Sequence, residues 1–181
     1  MHPQQRRLLA LNLVGGIAVL ASYYAGFAMH PANAGLLWGK LPEGLKPLYT
    51  VSMLSAAAGY FPITVLLLFR TDPERARIAG RFGFGCFQLL YGLILIPSAL
   101  WMPLTFRLLD GWDPALWTTI RVVLALVGIG SLGLLAALLT LSPVTSRRLY
   151  LLAVAGAVAF CVQTAVLDAT VWPAYFPAPQ P

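Results

Sequence analysis

Residues 115–141 read ALWTTIRVVLALVGIGSLGLLAALLTL, and Arg121 is the single charged residue among them. An α-helix rises about 1.5 Å per residue, so this stretch would cover roughly 40 Å, more than the roughly 30 Å of hydrocarbon in a bilayer. Inside lipid, backbone N–H and C=O groups must find partners within their own segment, and a helix provides them. The stretch therefore predicts a membrane-spanning helix.

Four further apolar stretches flank this one. The five together run at about residues 8–28, 47–69, 82–106, 115–141 and 149–171. The chain of 181 residues is 59% apolar and 10% charged, whereas soluble domains carry about 25% charged residues. The segments between the stretches are too short to fold as a soluble domain. We therefore predict an all-α integral membrane protein, a bundle of five transmembrane helices that forms a single domain over residues 1–181.

Basic residues are distributed unevenly between the two ends of such a bundle. Eight fall on the side of the amino terminus: Arg6, Arg7, Arg70, Arg75, Arg77, Arg81, Arg147 and Arg148. Three fall on the other side: Lys40, Lys46 and Arg107. Lys and Arg accumulate in cytoplasmic loops. The distribution therefore predicts a cytoplasmic amino terminus and a carboxyl terminus on the opposite side.

The same rule accounts for the net charge of +6 without a nucleic-acid partner. Membrane lipid is the partner that the composition indicates, since arginines in cytoplasmic loops contact anionic headgroups. The basic residues are mostly Arg and rarely Lys, which favours a bacterial inner membrane. We expect a multi-pass protein of the cell membrane.

The first 34 residues allow a second interpretation, as a secretory signal. They have a basic start, an apolar run and Ala32-Asn33-Ala34, which is like a signal-peptidase site. The apolar run is about 21 residues long, while the apolar core of a signal peptide has about 7–15. We expect an uncleaved first helix.

The loop at about residues 29–46 is the longest between two spans. Prolines and glycines interrupt regular structure in it. Its Leu36, Leu37 and Trp38 are nevertheless too apolar for a solvated linker. We expect this loop to fold back over the end of the bundle.

The tryptophans are the most informative feature of the sequence for function. With the topology above, all five lie at the non-cytoplasmic end: Trp38, Trp101, Trp112, Trp117 and Trp172. An ordinary aromatic belt decorates both membrane interfaces. Two interpretations stay open, an anchoring belt at one interface and an aromatic pocket for an apolar or planar ligand.

Two charged residues lie well inside predicted spans, Arg121 and Asp168. Charged residues at that depth are energetically costly and commonly functional. Each lies about 20 residues from the turn that joins the fourth and fifth helices, so the two reach the same depth and predict an ion pair. The pair would be either a structural clip between two helices or the polar wall of the aromatic pocket. The predicted ligand-binding residues are Tyr23, Trp38, Tyr49, Trp101, Trp117, Arg121, Asp168 and Trp172.

Catalytic and metal chemistry receive little support from the sequence. Cys86 and Cys161 lie in apolar spans without nearby partners, so no metal site is predicted. An acid–base enzyme would have to use Asp168, or His30 folded over the pocket. We predict no catalytic residues, and the sequence requires no cofactor.

The layout resembles the translocator proteins, also called tryptophan-rich sensory proteins. Four segments carry the resemblance: Tyr23-Tyr24, Leu48-Tyr49 with Met53 and Gly59, Trp101-Met-Pro-Leu-Thr-Phe106, and Ser142-Pro143 with Leu149-Tyr150. The chain lacks the family's Trp-x-Pro-Pro in the first loop, and its fifth helix has mostly Ala and Gly where the family has aromatic residues. The resemblance implies a sterol or porphyrin ligand in an outward-facing pocket and a tendency to form homodimers.

Three functions are compatible with these patterns. The first is non-enzymatic binding of a hydrophobic small molecule, sterol-like or porphyrin-like, in an outward-facing aromatic pocket. The second is an accessory subunit of a larger membrane complex. The third is a small enzyme that modifies lipids or sterols. A cavity lined by Trp38, Trp101 and Trp172 would favour the first, and a closed bundle would favour the second.

Overall fold

A computed structural model of the chain describes residues 1–176. Its helices are α1 (Pro3–Met29), α2 (Lys46–Val65), α3 (Gly85–Asp110), α4 (Pro114–Leu139), α5 (Arg147–Cys161) and α6 (Trp172–Tyr175). Two π-helical segments extend α2 and α5, at Leu66–Arg70 and Val162–Val171. Two 3₁₀ segments, Pro31–Trp38 and Glu43–Leu45, lie in the first loop. The described residues contain five helices long and apolar enough to cross a membrane, which confirms the predicted number of spans.

The helix ends differ from the sequence-based bounds by a few residues. α1 begins at Pro3 rather than near residue 8, because His2 caps it: the His2 Nδ1 accepts from the Gln4 N–H at 3.2 Å. α3 continues to Asp110, beyond the apolar stretch. The four prolines of residues 173–181 predict an extended tail. That prediction is wrong for the first part, since Trp172–Tyr175 form a helical turn, and residues 177–181 lie outside the described residues.

We name the two ends of the bundle by their residues. The tryptophan end carries Trp38, Trp101, Trp112, Trp117 and Trp172, which pack in and around one apolar cluster. The arginine end carries the amino terminus and the loops that follow α2 and α4. There, a strand pair, β1 (Arg77–Ile78) with β2 (Leu141–Ser142), joins those two loops. The arginines and acids of the loop after α2 predict a solvated turn that touches lipid headgroups. That prediction is wrong for part of the loop, because Ala76 and Ile78 are buried.

Close helix contacts occur where glycines face a neighbour. α2 and α5 meet at Gly59 and Gly156, and a Cβ atom added to Gly59 would lie 2.6 Å from the Gly156 Cα. α1 approaches α3 in the same way, since a Cβ atom on Gly15 would lie 2.8 Å from Leu95 Cδ1. Small residues let helix backbones approach within the membrane, where packing rather than water drives association. These contacts hold the helices of the bundle together.

The π-helical segment Val162–Val171 changes the faces of the fifth span. In an α-helix, side chains five residues apart point about 140° away from each other. Hydrogen bonds from i to i+5 bring such side chains onto one side, and π-helical turns are frequent at functional sites. This segment begins where α5 ends at Cys161 and reaches the tryptophan end at Trp172.

We predict that Gly59→Ala destabilises the folded bundle by about 1–3 kcal/mol, the usual cost of overpacking. The added methyl group would meet backbone atoms of Gly156, which cannot rotate away. Gly16→Ala on α1 is the matched control, because an added Cβ atom there meets nothing within 4 Å. Thermal unfolding in detergent, followed by circular dichroism, measures both. Equal unfolding temperatures for the two variants would show that the glycine contact does not hold α2 to α5.

Candidate functional site

A cavity of about 360 Å³ lies within the bundle near the tryptophan end. All five spans and the first loop contribute to its wall. The wall is formed by Val19, Tyr23, Phe27, Ala34, Leu37, Trp38, Tyr49, Met53, Ala56, Ala57, Ser98, Trp101, Met102, Leu124, Val127, Phe160, Gln163, Thr164, Asp168 and Trp172. Most of these side chains are apolar or aromatic, so the cavity suits a hydrophobic occupant.

The cavity begins beside the contact between α2 and α5. The two helices touch at Gly59 and Gly156. On the tryptophan side of that point α2 presents Ala56 and Ala57 to the cavity, and these side chains are too small to fill it. Larger side chains, including Tyr49 and Met53 of α2 itself, form the wall beyond this point. The two alanines next to the glycine contact therefore leave part of the space open.

The first loop covers the cavity, as its apolar residues predict. The Trp172 Nε1–H donates a hydrogen bond to the Leu37 carbonyl at 2.8 Å. The Lys40 N–H donates to the Tyr175 carbonyl, also at 2.8 Å. Leu37 is buried beneath the loop. The loop is thus tied to the end of the fifth span by two hydrogen bonds, and it forms part of the cavity wall.

An unbroken chain of aromatic contacts crosses the tryptophan end. Its ring centroids are 5.8 Å apart for Tyr23 and Trp101, 5.8 Å for Trp101 and Trp172, and 5.9 Å for Trp172 and Trp117. Trp112 continues the chain from Trp117 at 5.8 Å. These tilted and edge-to-face geometries are favourable for aromatic pairs. The first three rings line the cavity, and the last two lie behind Trp172.

The polar side of the wall lies on the π-helical segment. Gln163 and Asp168 are five residues apart, and the π-helical turn lets the Gln163 Nε2 donate to the Asp168 Oδ1 at 2.8 Å. The Gln163 Oε1 is buried and has no hydrogen-bond partner among residues 1–176. The Trp101 Nε1 is likewise buried without a hydrogen-bond partner among these residues. A buried polar atom without a partner is costly, and here two such atoms belong to residues of one cavity wall.

Three other polar groups at the cavity have hydrogen-bond partners within the bundle. The Thr164 hydroxyl donates to the Ser131 hydroxyl at 2.7 Å, which links the fifth span to α4. The Tyr49 hydroxyl donates to the Leu167 carbonyl at 2.6 Å. The Ser98 hydroxyl returns to the Ile94 carbonyl of its own helix. Among the residues of the cavity wall, the buried polar atoms without a partner within residues 1–176 are the Gln163 Oε1 and the Trp101 Nε1.

Six of the eight residues predicted for the site line the cavity: Tyr23, Trp38, Tyr49, Trp101, Asp168 and Trp172. Trp117 does not, since it stacks on Phe176 with the ring centroids 5.6 Å apart. Arg121 does not either, and its side chain is exposed on α4. That the six bind a ligand stays a prediction.

The predicted ion pair between Arg121 and Asp168 is wrong. The ion pairs found within residues 1–176 do not include it. Equal depth along two antiparallel helices does not determine how each helix is rotated about its axis. Asp168 faces the cavity and bonds to Gln163, while Arg121 faces the outside of the bundle.

Two further residues differ from the sequence-based expectation. His30 does not line the cavity: its ring stacks on Phe106 with centroids 4.8 Å apart, and its Nδ1 lies 3.7 Å from an Asp110 oxygen. Gln163 was not predicted as a site residue. A polar amide within an apolar stretch could have indicated a site residue. In an α-helix, however, residues 163 and 168 do not share a face, so the sequence did not connect Gln163 with Asp168.

The comparisons with known proteins supply no relative for this chain. No family model matches it, and neither the curated proteins nor the solved structures include a significant match.

Proposed function

We propose that this protein binds a hydrophobic small molecule, sterol-like or porphyrin-like, in the aromatic cavity and is not primarily an enzyme. The observation that carries the proposal is a wall formed by Trp38, Trp101 and Trp172 around a space of about 360 Å³. Ligand pockets typically have volumes of about 300–1,000 Å³ and mostly apolar walls with few polar groups. The resemblance to the translocator proteins points to the same ligand class and to homodimers.

The burial of the tryptophans supports a pocket over a simple anchoring belt. Belt residues place their rings among the lipid headgroups. Trp172 is instead 5% exposed, and its N–H bonds to the Leu37 carbonyl inside the bundle. The Trp101 ring lies between Tyr23 and Trp172. These two indoles therefore pack within the protein, rather than among lipid headgroups.

We further propose that the cavity opens toward the non-cytoplasmic side of a bacterial inner membrane. The support is the distribution of basic residues, eight at the arginine end and three at the tryptophan end. A ligand would then enter from the outer leaflet or the periplasm.

A substitution that fills the cavity tests the binding proposal. Ala57→Phe places a ring in the space, and we expect it to weaken binding at least about tenfold, or about 1.4 kcal/mol. Ala58→Phe is the matched control, because Ala58 is the next residue on α2, is also exposed and does not line the cavity. Titration of the purified protein with a fluorescent sterol and with a porphyrin, read by energy transfer or quenching of tryptophan emission, measures binding. Absence of saturable binding of both ligands to the wild type, or equal effects of the two substitutions, would contradict the proposal.

Cysteine labelling tests the orientation. Glu43 at the tryptophan end and Glu74 at the arginine end have side chains 86% and 77% exposed. We expect Glu43→Cys, in a chain with Cys86 and Cys161 replaced by Ala, to react with a membrane-impermeant maleimide on intact cells. Glu74→Cys in the same background should react only after permeabilisation. The reverse pattern would place the cavity on the cytoplasmic side.

A further inference from the structure

The open polar positions on the π-helical wall are hydrogen-bond acceptors. The Asp168 carboxylate accepts from the Gln163 Nε2 at 2.8 Å, and this bond fixes which way the Gln163 amide points. The amide oxygen is then left buried without a partner, on a side chain that is 6% exposed. A ligand group that meets this wall should therefore be a donor.

The cavity wall also carries a carboxyl group that has no basic partner. Asp168 is its one ionisable acid, and no Lys, Arg or His belongs to the wall within the described residues. The ion pairs of residues 1–176 leave Asp168 without a basic partner. Ionised groups within a membrane protein normally pair with an opposite charge or face a functional pathway. A cation in the cavity would supply the missing partner.

Aromatic rings surround the same space. Tyr23, Trp38, Trp101 and Trp172 all contribute to the wall. Aromatic faces attract organic cations, by about 0.5–2 kcal/mol for each well-placed ring. Acceptors, an unpaired carboxylate and several indole and phenol rings thus occupy one wall, and each favours a positive charge.

From this combination we infer that the ligand is a hydrophobic amine, an apolar body that carries one ammonium group. The ammonium donates to the Asp168 carboxylate and to the Gln163 amide oxygen, and the apolar body lies among the aromatic rings. The inference rests on the proposed function and narrows it. It keeps the sterol-like or porphyrin-like apolar body of the proposed function and adds an ammonium group to it. A porphyrin whose charged groups are all carboxylates should bind more weakly, because its carboxylates would meet the Asp168 carboxylate.

The ammonium could belong to a free amphiphile or to the headgroup of a membrane lipid. A phospholipid headgroup also brings a phosphate, and the cavity wall has no basic residue to receive one. The free amphiphile is therefore the source that the wall favours. A neutral alcohol is the competing ligand class, since one hydroxyl could donate to the Gln163 oxygen and accept from the Trp101 N–H.

Three probes with one carbon skeleton separate these classes: 1-pyrenemethylamine, 1-pyrenemethanol and 1-pyrenecarboxylic acid. Each is titrated into the wild-type protein in phosphatidylcholine nanodiscs, with empty nanodiscs subtracted. Binding inside the cavity is the part of the energy transfer from tryptophan to pyrene that Ala57→Phe abolishes, since pyrene dissolved in the surrounding lipid also accepts energy from the tryptophans. We expect the amine to bind at least about tenfold more tightly than the alcohol, and the acid to bind weakest. Displacement of the amine by a short-chain phosphatidylethanolamine would identify a lipid headgroup as the source of the ammonium.

Asp168→Asn tests the role of the carboxylate, with Asp110→Asn as its matched control. Asp110 lies at the same end, is 54% exposed and stands outside the cavity. We expect Asp168→Asn to weaken binding of the amine at least about tenfold and so to abolish its preference over the alcohol, and Asp110→Asn to leave the affinity for both probes unchanged. If Asp168→Asn fails to fold, as loss of its cooperative thermal transition would reveal, the ranking of the three probes on the wild type decides between the ligand classes.

Two results would overturn the inference in distinguishable ways. Equal or tighter binding of the alcohol to the wild type, unaffected by Asp168→Asn, would contradict the cationic ligand and leave the proposed function standing. Failure of all three probes to bind would contradict the proposed function as well.

Discussion

The contact between Gly59 and Gly156 is the constraint on which the arrangement of the bundle depends. It brings the backbones of α2 and α5 together so closely that a Cβ atom on either residue would overlap the other helix. On the tryptophan side of this contact, α2 offers alanines and the fifth span changes to π-helical geometry. The cavity is the space that these two features leave. Its polar side lies on the π-helical segment, and the remaining spans and the first loop complete its wall.

Much of this fold can be predicted from the sequence because the bilayer allows few alternatives. Each apolar stretch must satisfy its own backbone, so the five spans follow from length and hydropathy. Consecutive spans cross the membrane in opposite directions, so the position of each tryptophan along the chain places all five at one end. The burial of Leu37 in the first loop follows from its apolar character.

The parts that escaped prediction depend on rotation about the helix axis. Arg121 and Asp168 have the same depth, but one faces outward and the other the cavity. Gln163 meets Asp168 only because the intervening turn is π-helical, and no residue pattern in a single sequence specifies such a turn.

Burial of Ala76 and Ile78 depends on pairing between two loops that are distant in the chain.

The exposed apolar surface of the bundle is compatible with the alternative function, an accessory subunit of a larger membrane complex. α1 is the least buried of the five spans, and Leu13, Ile17 and Leu20 are exposed on it. Lipid covers such a face as readily as a protein partner does, so exposure alone does not favour a complex. The cavity, with its two unsatisfied polar atoms, is the feature that lipid packing does not explain.

Occupancy of the cavity in the native membrane is the most direct test. The wild-type protein, purified in mild detergent from the membranes in which it is naturally made, is examined by native mass spectrometry. A bound hydrophobic molecule should add one discrete small mass to each chain and be released on unfolding. A chain that carries no small molecule and instead co-purifies with a second membrane protein in fixed ratio would contradict ligand binding and favour a subunit.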